Sequence, residues 1–299
     1  MIPRRTFLRT TLALAGTSAM GFSVKGPKPR LAFSTLGCPQ WPLAQILTTA
    51  ASDGYEAIEI RGLQGELFLP NCPEFSTPAR LAATKKQLAA HNVKICNLGA
   101  STALHDLDPV KREKNLSEAR RFIDLAQELS CSYVRVFPNN LPKDQDREQT
   151  LNVIGEGLLE LGNYAKKANV TVLLESHGEV VGKDVLLRIL KQAEHPNVGM
   201  IWDIFNMWSV TKEPPKQVYQ ALKKYIRHAH VKDGKMVDGK PQYTFLGKGE
   251  APLKEAIDVL KADHYTGYYS FEWEKMWHPD LPEPALAFAD YAKAIQTYF

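Results

Sequence analysis

Residues 170–178 read VTVLLESHG, a short run of apolar, β-favouring residues that ends in a carboxylate. Three later stretches repeat this pattern: VGMIWDIFN at 198–206, IRHAHVKDG at 226–234 and GYYSFEWEK at 267–275. Helix-length segments separate the four stretches, and such alternation indicates a parallel sheet covered by helices. If the sheet closes into a barrel, side chains at these strand ends share one face and are placed for catalysis. They are Glu175, Asp203, His230 and Glu272.

The same alternation extends over the rest of the chain, which carries eight predicted strands. Eight strand–helix units in a chain of this length are typical of a (β/α)8 TIM barrel. A doubly wound open sheet is the main alternative and normally has fewer strands. We therefore predict an α/β fold with a single TIM-barrel domain over residues 26–299. The predicted strands are Leu31–Leu36, Tyr55–Ile60, Val93–Leu98, Ser132–Phe137, Val170–Glu175, Val198–Asp203, Ile226–Val231 and Gly267–Glu272.

Local signals predict the helix starts and one long loop. Thr77 and Asp108 are each followed by proline, which is typical of an N-cap and a first helical residue. A long helix is predicted from Arg147 to Ala168. The longest irregular stretch, residues 232–250, follows the seventh strand and contains Asp-Gly-Lys twice. We expect a small hairpin there, over the open face of the barrel.

The net charge of +4 comes from the first 25 residues. Four of the 37 basic residues lie there, with no acidic residue, so the remaining chain balances 33 basic against 33 acidic residues. A domain whose positive and negative charges balance gives no general reason to expect a nucleic-acid partner.

The first 25 residues predict export. Basic residues come first, then an apolar stretch from Thr11 to Ala19 that is far shorter than the ~20 residues of a membrane span. Arg4-Arg5-Thr6-Phe7-Leu8-Arg9 resembles the twin-arginine motif of bacterial export signals. We therefore predict a cleaved signal over residues 1–25, a periplasmic protein and no membrane span; a short amphipathic helix is the alternative.

The four cysteines show no metal-binding spacing. A disulfide bond between Cys38 and Cys72 suits an exported protein, because both follow predicted strands on the same face. Buried free thiols are the alternative, and the sequence leaves both open.

Side-chain alternation places the four strand-end residues inside the barrel. In the seventh strand His228, His230 and Lys232 share one face, and in the eighth strand Glu272 and Glu274 do. Three carboxylates and one imidazole that converge would repel each other without a divalent cation. This oxygen-rich set suits Mn²⁺, Mg²⁺, Co²⁺ or Zn²⁺, and we favour Mn²⁺.

These motifs give the chain a clear family resemblance over about residues 30–295. It resembles the xylose isomerase-like TIM barrels, in the branch of sugar phosphate isomerases and epimerases. The resemblance rests on the four strand-end residues, on His-x-His-x-Lys-Asp at 228–233 and on Gly-Lys-Gly-Glu at 247–250. It implies that Glu175, Asp203, His230 and Glu272 bind one divalent metal ion. It also implies that Glu175 and Glu272 are catalytic and lie on opposite sides of the substrate.

Four further residues are candidates for substrate binding. His177 can hydrogen-bond a hydroxyl group, Lys232 can neutralise a developing negative charge, and Glu59 ends the second strand. A structural role is the alternative for each. Asn206 stands where related epimerases often have histidine, three residues after the strand-six aspartate. Asparagine carries no proton at neutral pH, so the substrate of those epimerases does not transfer directly.

The chemistry that these residues predict is removal of an α-proton through a metal-stabilised enediolate. A sugar isomerase or epimerase is the first interpretation. The alternatives are a lyase or hydrolase of 3-keto-glycosides with the same metal and base, and a non-catalytic exported sugar-binding barrel. A DNA-repair endonuclease would need histidines that loop 61–76 lacks. The expected partner is a small carbohydrate, and a homo-oligomer is left open.

Overall fold

The computed structural model describes residues 28–299, which form a closed barrel of eight parallel strands. Around the barrel the strands follow the order β1-β10-β7-β6-β5-β4-β3-β2. This confirms the predicted single (β/α)8 barrel. The barrel strands are β1 (Leu31–Ser34), β2 (Ala57–Ile60), β3 (Lys94–Ala103), β4 (Tyr133–Phe137), β5 (Thr171–Glu175), β6 (Val198–Asp203), β7 (Ile226–Val231) and β10 (Tyr269–Phe271).

Helices connect the barrel strands and cover the outside of the barrel. Their predicted N-caps are present: Thr77 Oγ1 accepts a hydrogen bond from the Arg80 amide, and Asp108 Oδ1 accepts two from the first turn of α3. The helices are α1 (Leu43–Asp53), α2 (Pro78–Ala90), α3 (Pro109–Leu129), α4 (Arg147–Ala165), α5 (Lys183–Gln192), α6 (Ile204–Thr211), α7 (Pro215–Leu222), α8 (Leu253–Ala262) and α9 (Pro284–Ala294).

The loop after β7 contains the predicted hairpin. Strands β8 (Asp233–Val237) and β9 (Lys240–Thr244) pair in antiparallel register. Asp238 and Gly239 join them with φ of 50° and 76°. Positive φ at both central residues is the geometry of the tight hairpin turn that Asp-Gly favours.

Large apolar side chains fill the space between the barrel and its helices. Trp202 and Trp273 are each 1% exposed. The ring centroids of Phe33 and Phe288 lie 4.0 Å apart, which packs β1 against α9. The helices thus hold the barrel wall from outside, and the polar residues of the wall point to the interior.

Two further predictions concern the four cysteines and the N-terminal export signal. All four cysteines are free and buried, so the structure does not form the Cys38–Cys72 bond. The predicted export signal lies outside the described residues and stays a prediction. No helix within residues 28–299 is both long and apolar enough to cross a membrane.

Candidate metal centre and active site

Four side chains from neighbouring strands meet at the carboxyl-terminal end of the barrel. Glu175 ends β5, Asp203 ends β6, His230 lies in β7 and Glu272 directly follows β10. One potential ligand atom of each lies within 4.8 Å of the others, and all four residues are buried. The structure thus brings together all four residues that were predicted from the sequence to converge. Metal binding by this set stays a prediction.

The Nδ1 atom of His230 faces the three carboxylates. It lies 3.4 Å from Glu272 Oε1, 3.8 Å from Asp203 Oδ2 and 3.9 Å from Glu175 Oε1. This buried nitrogen has no hydrogen-bond partner, although buried polar atoms normally have one. One nitrogen and three carboxylate oxygens converge here, and of these oxygens only Asp203 Oδ2 has a close cation, the Lys232 ammonium at 2.8 Å. This set matches the donors of a divalent cation. The residues therefore fit the metal ion that the family resemblance implies.

The second oxygen atom of each carboxylate contacts a different group. Asp203 Oδ1 accepts a hydrogen bond of 2.9 Å from a backbone amide in the first turn of α6. Glu272 Oε2 accepts one of 2.6 Å from Lys232 Nζ. Glu175 Oε2 lies 3.3 Å from Arg135 Nε. These contacts orient the carboxylates and leave one oxygen of each directed at the imidazole.

Glu59 lies behind the imidazole of His230, on its other side from the carboxylates. Its Oε2 accepts hydrogen bonds from His230 Nε2 at 2.9 Å and from His228 Nε2 at 3.0 Å. Glu59 is fully buried and does not line the cavity, and its contact with substrate stays a prediction. Its bond keeps the proton on Nε2 and leaves the Nδ1 lone pair for a metal ion.

Lys232 is buried among carboxylates. Its Nζ lies 2.8 Å from Asp203 Oδ2 and donates hydrogen bonds of 2.6 Å to Glu272 and Glu274. Substrate contact by Lys232 stays a prediction. Glu274 was not among the site residues predicted from the sequence. Its position two residues after Glu272 could have indicated it, because residues two apart in a strand share a face.

A cavity of about 180 Å³ opens beside the four converging residues. Glu175 and Glu272 belong to its wall and Asp203 does not, so two of the three carboxylates can reach a small molecule there. A larger cavity of about 890 Å³ lies at the opposite end of the barrel and contains none of the candidate residues. Catalytic sites of these barrels lie at the carboxyl-terminal face. The remaining lining of the smaller cavity is Leu36, Arg61, Arg135, Phe137, His177, Glu274 and Trp277.

Two arginines of this cavity wall were missed by the sequence analysis. Arg135 lies in β4 and is 1% exposed, and Arg61 follows β2 and is 6% exposed. Burial, together with the positive charge of Arg135, lowers the pKa of Arg61 to about 9. The sequence did carry a signal for Arg135, which interrupts the apolar run YVRVF at 133–137. A charged side chain is tolerated in a buried strand only if it has a partner or a function.

His177 lines the cavity, as a substrate-binding residue would. Its Nδ1 donates a hydrogen bond of 3.0 Å to Asn139 Oδ1, so Nε2 remains an acceptor. Burial and the positive charges of Arg135 and Lys232 lower the pKa of His177 to about 4, and the ring is neutral at pH 7. Asn206 does not line the cavity, and its contact with substrate stays a prediction.

The two carboxyl groups of the cavity wall have opposite pKa shifts. Burial, reinforced by Glu272 and Asp203, raises the pKa of Glu175. Burial would also raise the pKa of Glu272, but as long as no metal ion is bound, the protonated form of His230 and the Lys232 ammonium outweigh it and lower that pKa. Environments that separate the pKa values of two carboxyl groups are typical of acid–base pairs.

Asp233 fixes the loop that follows the hairpin. Its Oδ2 accepts hydrogen bonds from the Gly247 and Gly249 amides at 2.8 and 3.0 Å, and its Oδ1 accepts one from Gly234 at 2.8 Å. A Cβ atom on Gly249 would lie 2.0 Å from Asp233 Oδ1. The Gly-Lys-Gly-Glu element therefore wraps around the Asp233 carboxylate.

The sequence profile of the xylose isomerase-like TIM barrels matches residues 47–295, which include the four converging residues and all of the cavity lining except Leu36. The chain belongs to the xylose isomerase-like TIM barrel family. This confirms the family inferred from the strand-end motifs, whereas the branch within it stays a prediction. A search of curated protein sequences found no match.

Solved structures with the same fold are distant in sequence. The IolI protein with a bound zinc atom is 20% identical, with a TM-score of 0.76 over 90% of this chain and 99% of that one. An L-ribulose 3-epimerase is 15% identical, with a TM-score of 0.74 over 91% and 94%. The probable 3-DHS dehydratase AsbF of Bacillus anthracis is 16% identical, with a TM-score of 0.73 over 89% and 98%. At these identities the likeness establishes the fold.

Proposed function

We propose that this chain is a divalent-metal-dependent isomerase or epimerase of a small sugar. The observation that carries the proposal is the unpartnered Nδ1 of His230, which three buried carboxylates face at 3.4–3.9 Å. Buried carboxylates that face one another repel, and a divalent cation removes that repulsion while binding the nitrogen as well. The epimerase and the zinc-containing IolI protein among the structural relatives support this choice.

The metal ion, when bound, would polarise a substrate carbonyl group and stabilise the negative charge that follows proton removal. We favour Mn²⁺ because most of the donors are oxygen atoms. Glu175, Asp203, His230 and Glu272 would hold the ion. His230 would bind through Nδ1, since its Nε2 already donates to Glu59.

Glu175 and Glu272 would move the proton, because they line the cavity and Asp203 does not. If one carboxylate takes the α-proton and the other returns a proton to the opposite face, the product is an epimer. If a single carboxylate moves the proton to the neighbouring carbon, the product is an aldose–ketose isomer. His177 Nε2 can accept a hydrogen bond from a substrate hydroxyl and orient it.

Proton NMR of the Mn²⁺-loaded protein in D₂O tests the proposal, with a panel of free ketohexoses and aldoses and of their uronate and phosphate derivatives as substrates. We expect deuterium beside the carbonyl carbon and the appearance of a second sugar. The Glu175→Gln variant should show neither change. A protein that holds its metal and exchanges no carbon-bound proton in any sugar would contradict the proposal.

A lyase of 3-keto-glycosides is the second candidate, and Glu274 is the observation that favours it. This third carboxyl group lines the cavity, and burial raises its pKa. In an elimination, the base takes the C2 proton, a C1–C2 double bond forms and the C1–O bond breaks. Glu274 could give its proton to the departing oxygen. Release of the C1 substituent from a 3-keto-glucoside in the NMR experiment would establish the lyase instead.

A further inference from the structure

Two buried arginines form one wall of the cavity, across three adjacent strands. Arg61 follows β2, Arg135 lies in β4, and Gly99 of β3 stands between them. A Cβ atom on Gly99 would lie 2.7 Å from Arg135 Nη2 and 2.9 Å from Arg61 Cδ. The missing side chain of Gly99 therefore leaves the room that the Arg135 guanidinium group and the Arg61 side chain occupy.

The donors of this arginine pair are largely unused. Arg61 Nη1, Arg135 Nη1 and Arg135 Nε are buried and have no hydrogen-bond partner. Arg135 Nε is 3.3 Å from Glu175 Oε2 without the alignment of a hydrogen bond, and its Cζ lies 3.7 Å over the Phe137 ring. A buried guanidinium group without partners is costly, and two of them together repel each other.

The charges of the site leave this wall positive. Lys232 contacts Asp203, Glu272 and Glu274 and offsets one carboxylate charge, whereas the charge of Glu59 lies behind the imidazole of His230, away from the cavity. A divalent cation would neutralise two of the three carboxylates that face it, which leaves one negative charge against two arginines. Guanidinium groups whose N–H donors have no protein partner can bind carboxylate or phosphate oxygens through pairs of parallel hydrogen bonds.

We propose that Arg61 and Arg135 form an anion subsite and that the substrate is an acidic sugar derivative. Its oxyanion would bind this wall while its carbonyl end faces Glu175 and Glu272. The identity of the reacting end rests on the proposed function, whereas the anion subsite itself does not. A carboxylate and a phosphate ester share the required oxygens, so the experiment separates these two sources.

Calorimetric titration of the protein dialysed against Mn²⁺ tests the subsite by binding alone, in the state in which the cation neutralises two carboxylates. The probes are D-glucuronate, D-glucose 6-phosphate and D-glucose, which differ at C6. Thermal unfolding in acetate, in inorganic phosphate and in chloride of equal ionic strength provides a measurement that needs no particular sugar. We expect at least one anionic sugar to bind about tenfold or more tightly than glucose, or a matched anion to raise Tm above its value in chloride.

Three variants connect the preference to the arginine pair. Arg61→Met and Arg135→Met should each remove the anion preference, whereas Arg147→Met, at an exposed position, should keep it. A preference for glucuronate or acetate identifies a carboxylate, and one for glucose 6-phosphate or inorganic phosphate identifies a phosphate ester. The proposal is overturned if no anion is preferred in any of these measurements, or if the preference survives in Arg61→Met and Arg135→Met.

The result separates this inference from the proposed function. An anion preference in a protein that exchanges no carbon-bound proton leaves the subsite standing and removes the isomerase assignment. Deuterium exchange with neutral sugars, in a protein without anion preference, supports the isomerase assignment and removes the anion subsite.

Discussion

His230 donates its Nε2–H to Glu59 at 2.9 Å, across the barrel interior from β7 to β2. Such a bond fixes the imidazole orientation and raises the basicity of the nitrogen on the other side. Glu59→Gln should therefore weaken Mn²⁺ binding by about 10–100-fold, as measured by calorimetry. The exposed Glu156→Gln is the matched control. Unchanged affinity in a folded Glu59→Gln protein would show that this bond does not support a ligand.

Turnover should depend on both carboxyl groups of the cavity wall. We expect Glu175→Gln and Glu272→Gln each to lower kcat by about 100-fold or more, because glutamine cannot take a proton. The measurement is the rate of deuterium incorporation at saturating substrate, beside the bound metal content of each variant. Wild-type rates in either variant would remove that residue from the proton transfer.

Asp203 offers a variant that separates metal binding from helix capping. Asn is as good an N-cap as Asp, so Asp203→Asn should keep the cap of α6 while it removes one ligand charge. At 100 times its Kd, a metal ion stabilises the native state by about 2.7 kcal/mol. We expect Mn²⁺ to raise the Tm of the wild-type protein and to have little effect on Asp203→Asn. Equal shifts in both proteins would place the metal elsewhere.

Asp233 should contribute to stability through the loop that it orients. Asp233→Ala leaves the Gly234, Gly247 and Gly249 amides without their acceptor, and hydrogen bonds to a charged group are worth about 1.5–3 kcal/mol each. Because Gly247 is exposed and water can replace part of the lost bonding, we expect the free energy of unfolding to fall by less than this sum, about 2–4 kcal/mol in urea titrations. Asp144→Ala, at an exposed position, should change it little. A loss no larger than that of the control would contradict the role of Asp233.

The thiol groups should not react in the native protein. Burial raises the pKa of Cys72 and of Cys131 to about 12, so almost no thiolate is present at pH 8. We expect an aromatic disulfide reagent to detect almost no thiol in the folded protein and four after denaturation in guanidinium. Two thiols after denaturation would instead reveal a disulfide bond in the isolated protein.

The sequence by itself determined the barrel, the family and the identity of the converging residues. Each strand is a local apolar run with period two, so the face on which Glu175, Asp203, His230 and Glu272 lie follows from counting along the chain. The helix caps at Thr77 and Asp108 and the Asp-Gly hairpin turn were equally local, since each depends on neighbouring residues alone.

Only the tertiary structure decided what each side chain contacts across the barrel. Glu59 is separated from His230 by 171 positions, and nothing local shows that its carboxylate holds an imidazole instead of facing the cavity. Arg61 and Arg135 become a pair because Gly99 leaves space between their strands. Such contacts depend on how closure of the barrel brings distant strands together, and alternation along one strand carries no information about the strand opposite.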